Sequence, residues 1–497
     1  RERRVNVASL LVPALPWDAS NGFAYLSEGI EDALELGVGG FILRGGPHDQ
    51  VAALAAALHA ASREPLLLAS DAERGAGEQY QGCTELPPLG ALGALALHDD
   101  SGIARRAARI TARELRALGL NWVLGPVCDL DLPPGSPVIS VRSAGADPHR
   151  VAAFVSEWID ACQAEGVLAC AKHFPGHGRA HGDSHLEAPV VATRPEELWR
   201  DDLAPFRAVI DSGVGSIMIS HVRYPTLDPR DLPASLSVPI ATELLRESME
   251  FDGLIVSDSV DMRAVRALGT EAAVCVSALA AGCDVLLGVA DPYEAVAAIT
   301  NAIHDGELDP ERVREAIARR TRWAGWASSG TTRDISLDDR MWVRQAADRA
   351  VHVIRGAAPH FAQAVEVVVV DEDAVGPWPA PVRGAFESTL RSLDVDAPVV
   401  QEPTRHTRVP VLIAVYCDVI AWKGYDGPSE QARAAVSRAV AVAASQTRDA
   451  TVVLFGHPRH AAALSDAPRI VCAWDGSSLM QTSAARVLAR GLLHNAR

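Results

Sequence analysis

Through roughly the first two thirds of the chain, short apolar runs rich in β-branched residues alternate with longer stretches of helical periodicity. That alternation is the signature of βα units around a parallel sheet. Eight runs have the length and composition of buried strands: residues 6–12, 38–43, 65–70, 121–128, 167–172, 215–221, 253–257 and 284–289. Between them, Asp147-Pro148 opens a helix over 150–165, and Thr193-Arg194-Pro195 opens one over 196–212, each with a proline in the first turn. Eight such units predict an α/β fold of the TIM (β/α)8 type. At 328–339 the composition shifts to Ser, Gly, Thr and Asp, which reads as the exit from a barrel domain spanning 1–330. A linker over 331–360 follows, with a helix at 340–354. New strand-like runs at 365–370, 410–416, 450–455 and 469–473, with an Ala-rich helix at 429–444, predict a smaller α/β sandwich over 361–497.

Composition narrows the partners. Of 497 residues, 48% are hydrophobic and 22% charged, enough apolar surface for a large core and too much for a disordered chain. The formal charge of −17, with no basic run to offset it, repels phosphate backbones and anionic lipid, so nucleic acid and membrane are not expected partners. No apolar run approaches the ~20 residues of a membrane-spanning helix. Eight cysteines without a CxxC pair suggest neither a disulfide framework nor a zinc knuckle. With no leader pattern at the first residues, the expected location is cytoplasmic. No phosphate-cradling glycine loop is present, and no cofactor is expected.

In a barrel the chemistry sits at the carboxyl ends of the strands. Those ends carry Arg44, Asp71, Asp129, Lys172 with His173, His221 and Asp258, while the opposite ends offer no such set. The densest segment, Lys172-His-Phe-Pro-Gly-His-Gly178 continuing to Asp183-Ser-His185, holds histidines at 173, 177, 181 and 185. A spacing of four resembles metal ligands on one helix face, but Pro175, Gly176, Gly178 and Gly182 break any such helix. A mobile loop is the better expectation, and no metal is expected. Lysine usage singles out one residue: only two of the 46 Lys and Arg residues are lysine, Lys172 and Lys423. An ammonium is a compact point donor suited to a sugar hydroxyl or a buried carboxylate, where a guanidinium is a wide planar fork.

Asp183 precedes His185 by two residues, close enough for a loop to turn the carboxylate onto the ring and raise its basicity. An ordinary loop or capping sequence would read the same way. Asp258, leaving the seventh candidate strand, can project into the barrel mouth as a nucleophile or simply cap the next helix. With Asp71 as acceptor and Arg142 as fork donor, the mouth suits a polyhydroxylated, amide-bearing substrate.

Taken together, Lys172-His-Phe-Pro-Gly-His-Gly178, Asp183-Ser-His185, Ser257-Asp258 with Met262, Pro233-Ala-Ser-Leu-Ser237, and Arg142-Ser143 with Asp147-Pro148 resemble family 3 glycoside hydrolases of the β-N-acetylglucosaminidase branch. The likeness runs over about residues 5–300. It implies a retaining exo-glycosidase acting on carbohydrate with terminal β-linked GlcNAc. Asp258 would be the nucleophile and Asp183 with His185 the acid/base pair, while Asp71, Arg142, Lys172, His173 and His221 would hold the sugar. Two departures stand out: Ala72-Glu-Arg-Gly-Ala-Gly77 replaces the family's Gln-Glu-Gly-Gly-Arg, so that Arg74 is the nearby arginine, and Ala144 stands where the family has phenylalanine. Competing expectations are a phosphorylase using inorganic phosphate as acceptor, a β-glucosidase, a zinc hydrolase built on the histidines, and a GlcNAc-binding module without turnover.

Overall fold

The computed structural model describes residues 6–97, 102–133, 135–183, 186–361, 363–374, 380–405 and 407–493. They form two compact units. One comprises Arg1–Glu85, Asp100–Ser136 and Ser143–Ser336, and the other Leu86–Asp99, Pro137–Arg142 and Leu337–Arg497. The boundary between the units at Ser336 and Leu337 lies within the stretch 331–360 expected as linker. No helix among the described residues is long and apolar enough to cross a membrane.

The first unit is a ring of short parallel strands: β1 (Leu11–Val12), β2 (Ala14–Pro16), β3 (Gly40–Arg44), β4 (Leu67–Ser70), β5 (Trp122–Val123), β6 (Leu168–Phe174), β7 (Ser216–Ile219), β8 (Leu254–Ser257) and β9 (Leu286–Leu287). β2 to β8 pair in chain order, β1 pairs with β9, and a bridge from Val256 to Val285 links β8 to β9. The ring closes because β1 and β2 are one strand interrupted at Pro13. The run 6–12, expected as a strand, instead begins as a 3-10 turn over Val7–Leu10 and pairs only from Leu11. Proline supplies no ladder donor and splits what remains. Alternate residues, such as Leu67 and Ala69, Trp122 and Leu124, and Leu254 and Val256, fill the interior, as the two-residue period of a strand requires. Helix Pro310–Ser328 lends Ala324 and Ala327 to this core. The helix expected over 196–212 is two, Pro195–Arg200 and Ala204–Asp211, separated where Pro205 begins a new first turn.

In the second unit β10 (His352–Arg355), β11 (Glu366–Asp371), β12 (Val399–Val400), β13 (Val411–Tyr416), β14 (Ala450–Phe455) and β15 (Ile470–Cys472) form a sheet ordered β10-β15-β14-β13-β11-β12, parallel except for β10. Helix Glu430–Ser445 buries Val436, Ala439 and Ala443 against one face. On the other face Phe386 packs edge-on to Phe455. The helix expected over 340–354 ends at Ala350, and the β-branched residues after it pair with β15 as β10.

The strand order reverses between β11 and β13, a place where such sheets commonly bind ligands. Here the crevice is occupied by the protein's own charges. The Lys423 Nζ donates to Asp373 Oδ1 at 2.6 Å, and Arg383 bridges Asp371, Asp373 and Asp418 at 2.9 to 3.0 Å. Asp373 is fully buried, and burial followed by the Asp418 charge raises its carboxyl above the ordinary range. Removing one partner of a buried ion pair leaves an uncompensated charge, so Asp373→Ala is expected to cost about 3–5 kcal/mol in urea unfolding. Adding Lys423→Met should recover part of that loss; a single variant as stable as wild type would show the cluster contributes nothing.

Candidate active site

The exits of β3, β4, β6 and β8 bring one group of charges together. Register pairs the end of β2 with Arg44 at the end of β3, and Arg44 Nε lies 3.9 Å from Asp71 Oδ2. Lys172, on β6 and 2% exposed, donates to Asp71 Oδ1 at 3.2 Å and to Glu73 Oε1 at 2.6 Å. The Cys170 thiol one layer below is pushed up to about 12, chiefly by burial, and it feels the charges of Lys172, Asp71 and Asp258. Lys172 and Asp71 meet at the ends of β6 and β4, and Asp258 leaves β8 on the same carboxyl-terminal side of the parallel ring. The β6 to β7 pairing slips between Ala171 and Phe174, a bulge of the kind that re-aims successive side chains. Lys172 and His173 sit at that slip.

Asp129 organises the turn that follows. Its Oδ1 accepts from the His177 amide at 2.6 Å and its Oδ2 from the His173 ring Nδ1 at 2.6 Å. Burial alone would raise this carboxyl; the His173 ring and the contacts to His177 outweigh it and leave it below its ordinary value. His177 is driven the other way, down to about 4, by burial and then by His173, so it is neutral near pH 7. Gly178 passes so close to the Leu130 carbonyl that a Cβ there would lie 1.9 Å away, which explains a glycine at that place. Tyr224 Oη donates to the Gly176 carbonyl at 2.8 Å, and Arg179 forks onto Asp201 and Asp202. The expectation of a mobile loop therefore fails over 173–180. The polar backbone of this turn is satisfied by buried partners distant in sequence, which glycine content could not reveal.

Asp183 is buried, and its carbonyl accepts from the amides of Leu186 and Glu187. His185 lies outside the described residues. His181 is exposed whereas His173 and His177 are buried, with rings 5.9 Å apart. Among the described residues no group of three His, Cys, Asp or Glu is arranged to hold a metal ion.

Asp258 leaves β8 with its amide bonded to the Ile219 carbonyl, and its Oδ1 accepts from the Ser259 amide at 2.8 Å. His221, just after β7, has both ring nitrogens engaged by protein atoms: Nδ1 by Ser235 Oγ at 2.7 Å and Nε2 by the Ser259 carbonyl at 2.9 Å. Arg142 ends the turn Ser140–Arg142, which groups with the second unit, and its guanidinium donates to the Val138 carbonyl. Arg74 is engaged by Glu78 at 3.3 Å and Glu85 at 2.7 Å. Glu73 was not singled out by sequence reasoning, although its place two residues after Asp71 was the available signal.

Burial, opposed by Arg74 and reinforced by Glu73, pushes the Glu78 carboxyl up to about 7. A carboxyl raised in the fold binds its proton more tightly than in the unfolded chain, so the stability it contributes is present at low pH and is lost as pH rises toward 7. Glu78→Gln should therefore flatten the fall in melting temperature of the wild type between about pH 4.5 and 7. Parallel melting curves for the two proteins across that window would reject the assignment.

The model of the glycosyl hydrolase family 3 N-terminal domain matches residues 18–322. A β-N-acetylglucosaminidase/β-glucosidase of Cellulomonas fimi is 36% identical over 305 residues, 59% of this chain and 52% of that protein. This chain thus spans about half the length of that relative. A β-hexosaminidase of Nitrosomonas eutropha is 36% identical over 275 residues, 53% of this chain and 77% of the relative. Among solved structures, a glycoside hydrolase family 3 β-N-acetylglucosaminidase from Paenibacillus sp. str. FPU-7 superposes with a TM-score of 0.85 at 27% identity, covering 100% of this chain and 98% of that one.

Proposed function

This chain belongs to glycosyl hydrolase family 3, and from that membership we propose that it is a retaining exo-β-N-acetylglucosaminidase that releases terminal β-linked GlcNAc. The observation that carries the reading is the Lys172 contact to Asp71 and Glu73 at the same carboxyl-terminal strand ends from which Asp258 leaves β8. The Paenibacillus β-N-acetylglucosaminidase and the Nitrosomonas β-hexosaminidase support an amino-sugar substrate, while the Cellulomonas relative carries both β-N-acetylglucosaminidase and β-glucosidase in its name.

In the proposed mechanism one carboxylate oxygen of Asp258 attacks the anomeric carbon while the bond to the leaving oxygen breaks. His185 gives that oxygen its proton. The other Asp258 oxygen, Oδ1, is held by the Ser259 amide, so the carboxylate meets the sugar in one orientation. In the second step His185 takes a proton from water, the water oxygen bonds to the anomeric carbon, and Asp258 departs as a carboxylate. Asp183, as the partner of His185, favours the imidazolium before the first step. Asp71, Lys172 and His173 are the proposed contacts of the hydroxyl and acetamido groups. With Nδ1 given to Asp129, His173 has Nε2 left for a hydroxyl.

Incubation with a chromogenic β-GlcNAc and the matching β-glucoside, with and without phosphate, tests the reading. Release of GlcNAc with the glucoside turned over at least about tenfold more slowly, a difference of about 1.4 kcal/mol, supports it. Preference for the glucoside overturns the specificity, and GlcNAc 1-phosphate as the main product at millimolar phosphate overturns hydrolysis.

A further inference from the structure

We infer that His221 positions the nucleophile Asp258 and does not touch the sugar. The inference rests on the proposed reading of Asp258, and it begins from the hydrogen bonds of one imidazole. His221 is 1% exposed. Its Nε2 is 2.9 Å from the Ser259 carbonyl. A carbonyl oxygen only accepts, so Nε2 must carry the proton. Its Nδ1 is 2.7 Å from Ser235 Oγ, a hydroxyl able to donate to it. The neutral ring with its proton on Nε2 therefore satisfies both bonds.

Each end of this relay is anchored. Ser235 lies on the turn Ala234–Leu236, and its amide bonds to the Ser220 carbonyl at 3.1 Å, beside the exit of β7. At the other end, Ser259 is held at both its carbonyl and its amide, the latter donating to Asp258 Oδ1 at 2.8 Å. Ser259 Oγ donates to Asp261 Oδ1 at 2.7 Å, and Val260 is tied to the Leu287 carbonyl at 2.9 Å. Gly288 closes the remaining side: its φ is +70°, and a Cβ on it would lie 1.9 Å from Ser259 Oγ. Thus the path from Ser235 through His221 and Ser259 ends on the carboxylate. A nucleophile displaced by about 1 Å can lose on the order of 10²-fold in rate.

The test compares His221→Ala, which removes both bonds, with His221→Gln, whose side-chain amide can reach the Ser259 carbonyl in place of Nε2. On a dinitrophenyl β-GlcNAc, His221→Ala is expected to lose on the order of 10²-fold in kcat with KM within about threefold of wild type, and His221→Gln to recover most of it. Ser235→Ala, a smaller change at the far end of the relay, should show a weaker loss in kcat alone. A raised KM at unchanged kcat would mean that His221 binds the sugar, and would overturn the inference. Equal loss of kcat in the Ala and Gln variants with unaltered melting temperatures would overturn it as well. If His221→Ala does not fold, the Gln and Ser235 variants decide, since unchanged kcat in Ser235→Ala with no gain of folded Gln variant activity over background overturns the relay. Absence of wild-type turnover on this substrate is a separate outcome, and it counts against the proposed function.

Discussion

Asp258→Asn is expected to remove turnover by a factor of 10⁴ or more, on the order of 5 kcal/mol of transition-state stabilisation, while leaving the fold intact. The amide is nearly the size of the carboxylate and can still accept from the Ser259 amide through its oxygen, so packing changes little. What it lacks is the negative charge that forms the bond to the anomeric carbon. The measurement is kcat on a dinitrophenyl β-GlcNAc, read beside the melting temperature. Substantial activity in a well-folded variant would remove Asp258 from the nucleophile's role, and with it the double-displacement mechanism. Asp71 and Glu73 are bonded to Lys172, and Asp129 to the His173 ring and the His177 amide.

His185→Ala is expected to produce a second large effect, and one that depends on the leaving group. Only a poor leaving group needs a proton in the first step, so sugar aglycones should slow by about 10²–10⁴-fold and dinitrophenyl GlcNAc by less than about tenfold in the glycosylation step. Asp183→Asn should follow the same pattern more weakly, because it removes the proposed partner of the imidazolium and keeps the ring. Rates for a chitobiose series and an aryl series, measured before the second step limits turnover, give the comparison. Equal losses on both series would contradict an acid role. The charge of this group also bears on the acceptor. A carboxylic acid becomes an anion after giving up its proton and repels incoming phosphate, whereas histidine ends neutral. Phosphate is then less strongly excluded, though a millimolar anion competes with water at ~55 M only if a binding site favours it.

Much of this was legible along the chain because the relevant signals are local. The alternation of apolar runs with helical periodicity records a parallel sheet buried on both faces, and seven of the eight runs contain a barrel strand while the run 6–12 reaches one only at Leu11. The carboxyl ends of those strands can be read from order alone, which is why the sequence predicts Asp71, Lys172 and Asp258 at one end of the barrel. Scarcity of lysine pointed to Lys172, and the same scarcity applies to Lys423, which lies in a buried charge cluster of the second unit. What the tertiary structure decided is what each polar group faces. Lys172 meets Asp71 from 101 residues away, Asp129 holds His173 across 44, and His221 is taken up by Ser259 across 38. No periodicity carries such pairings, because they depend on which strand ends become neighbours when the ring closes. The same is true of Pro13 and Pro205, whose missing amides divide elements that the apolar pattern alone would join. Sequence determined which chemistry was available at the barrel top. Long-range packing decided which partners those groups meet within the fold.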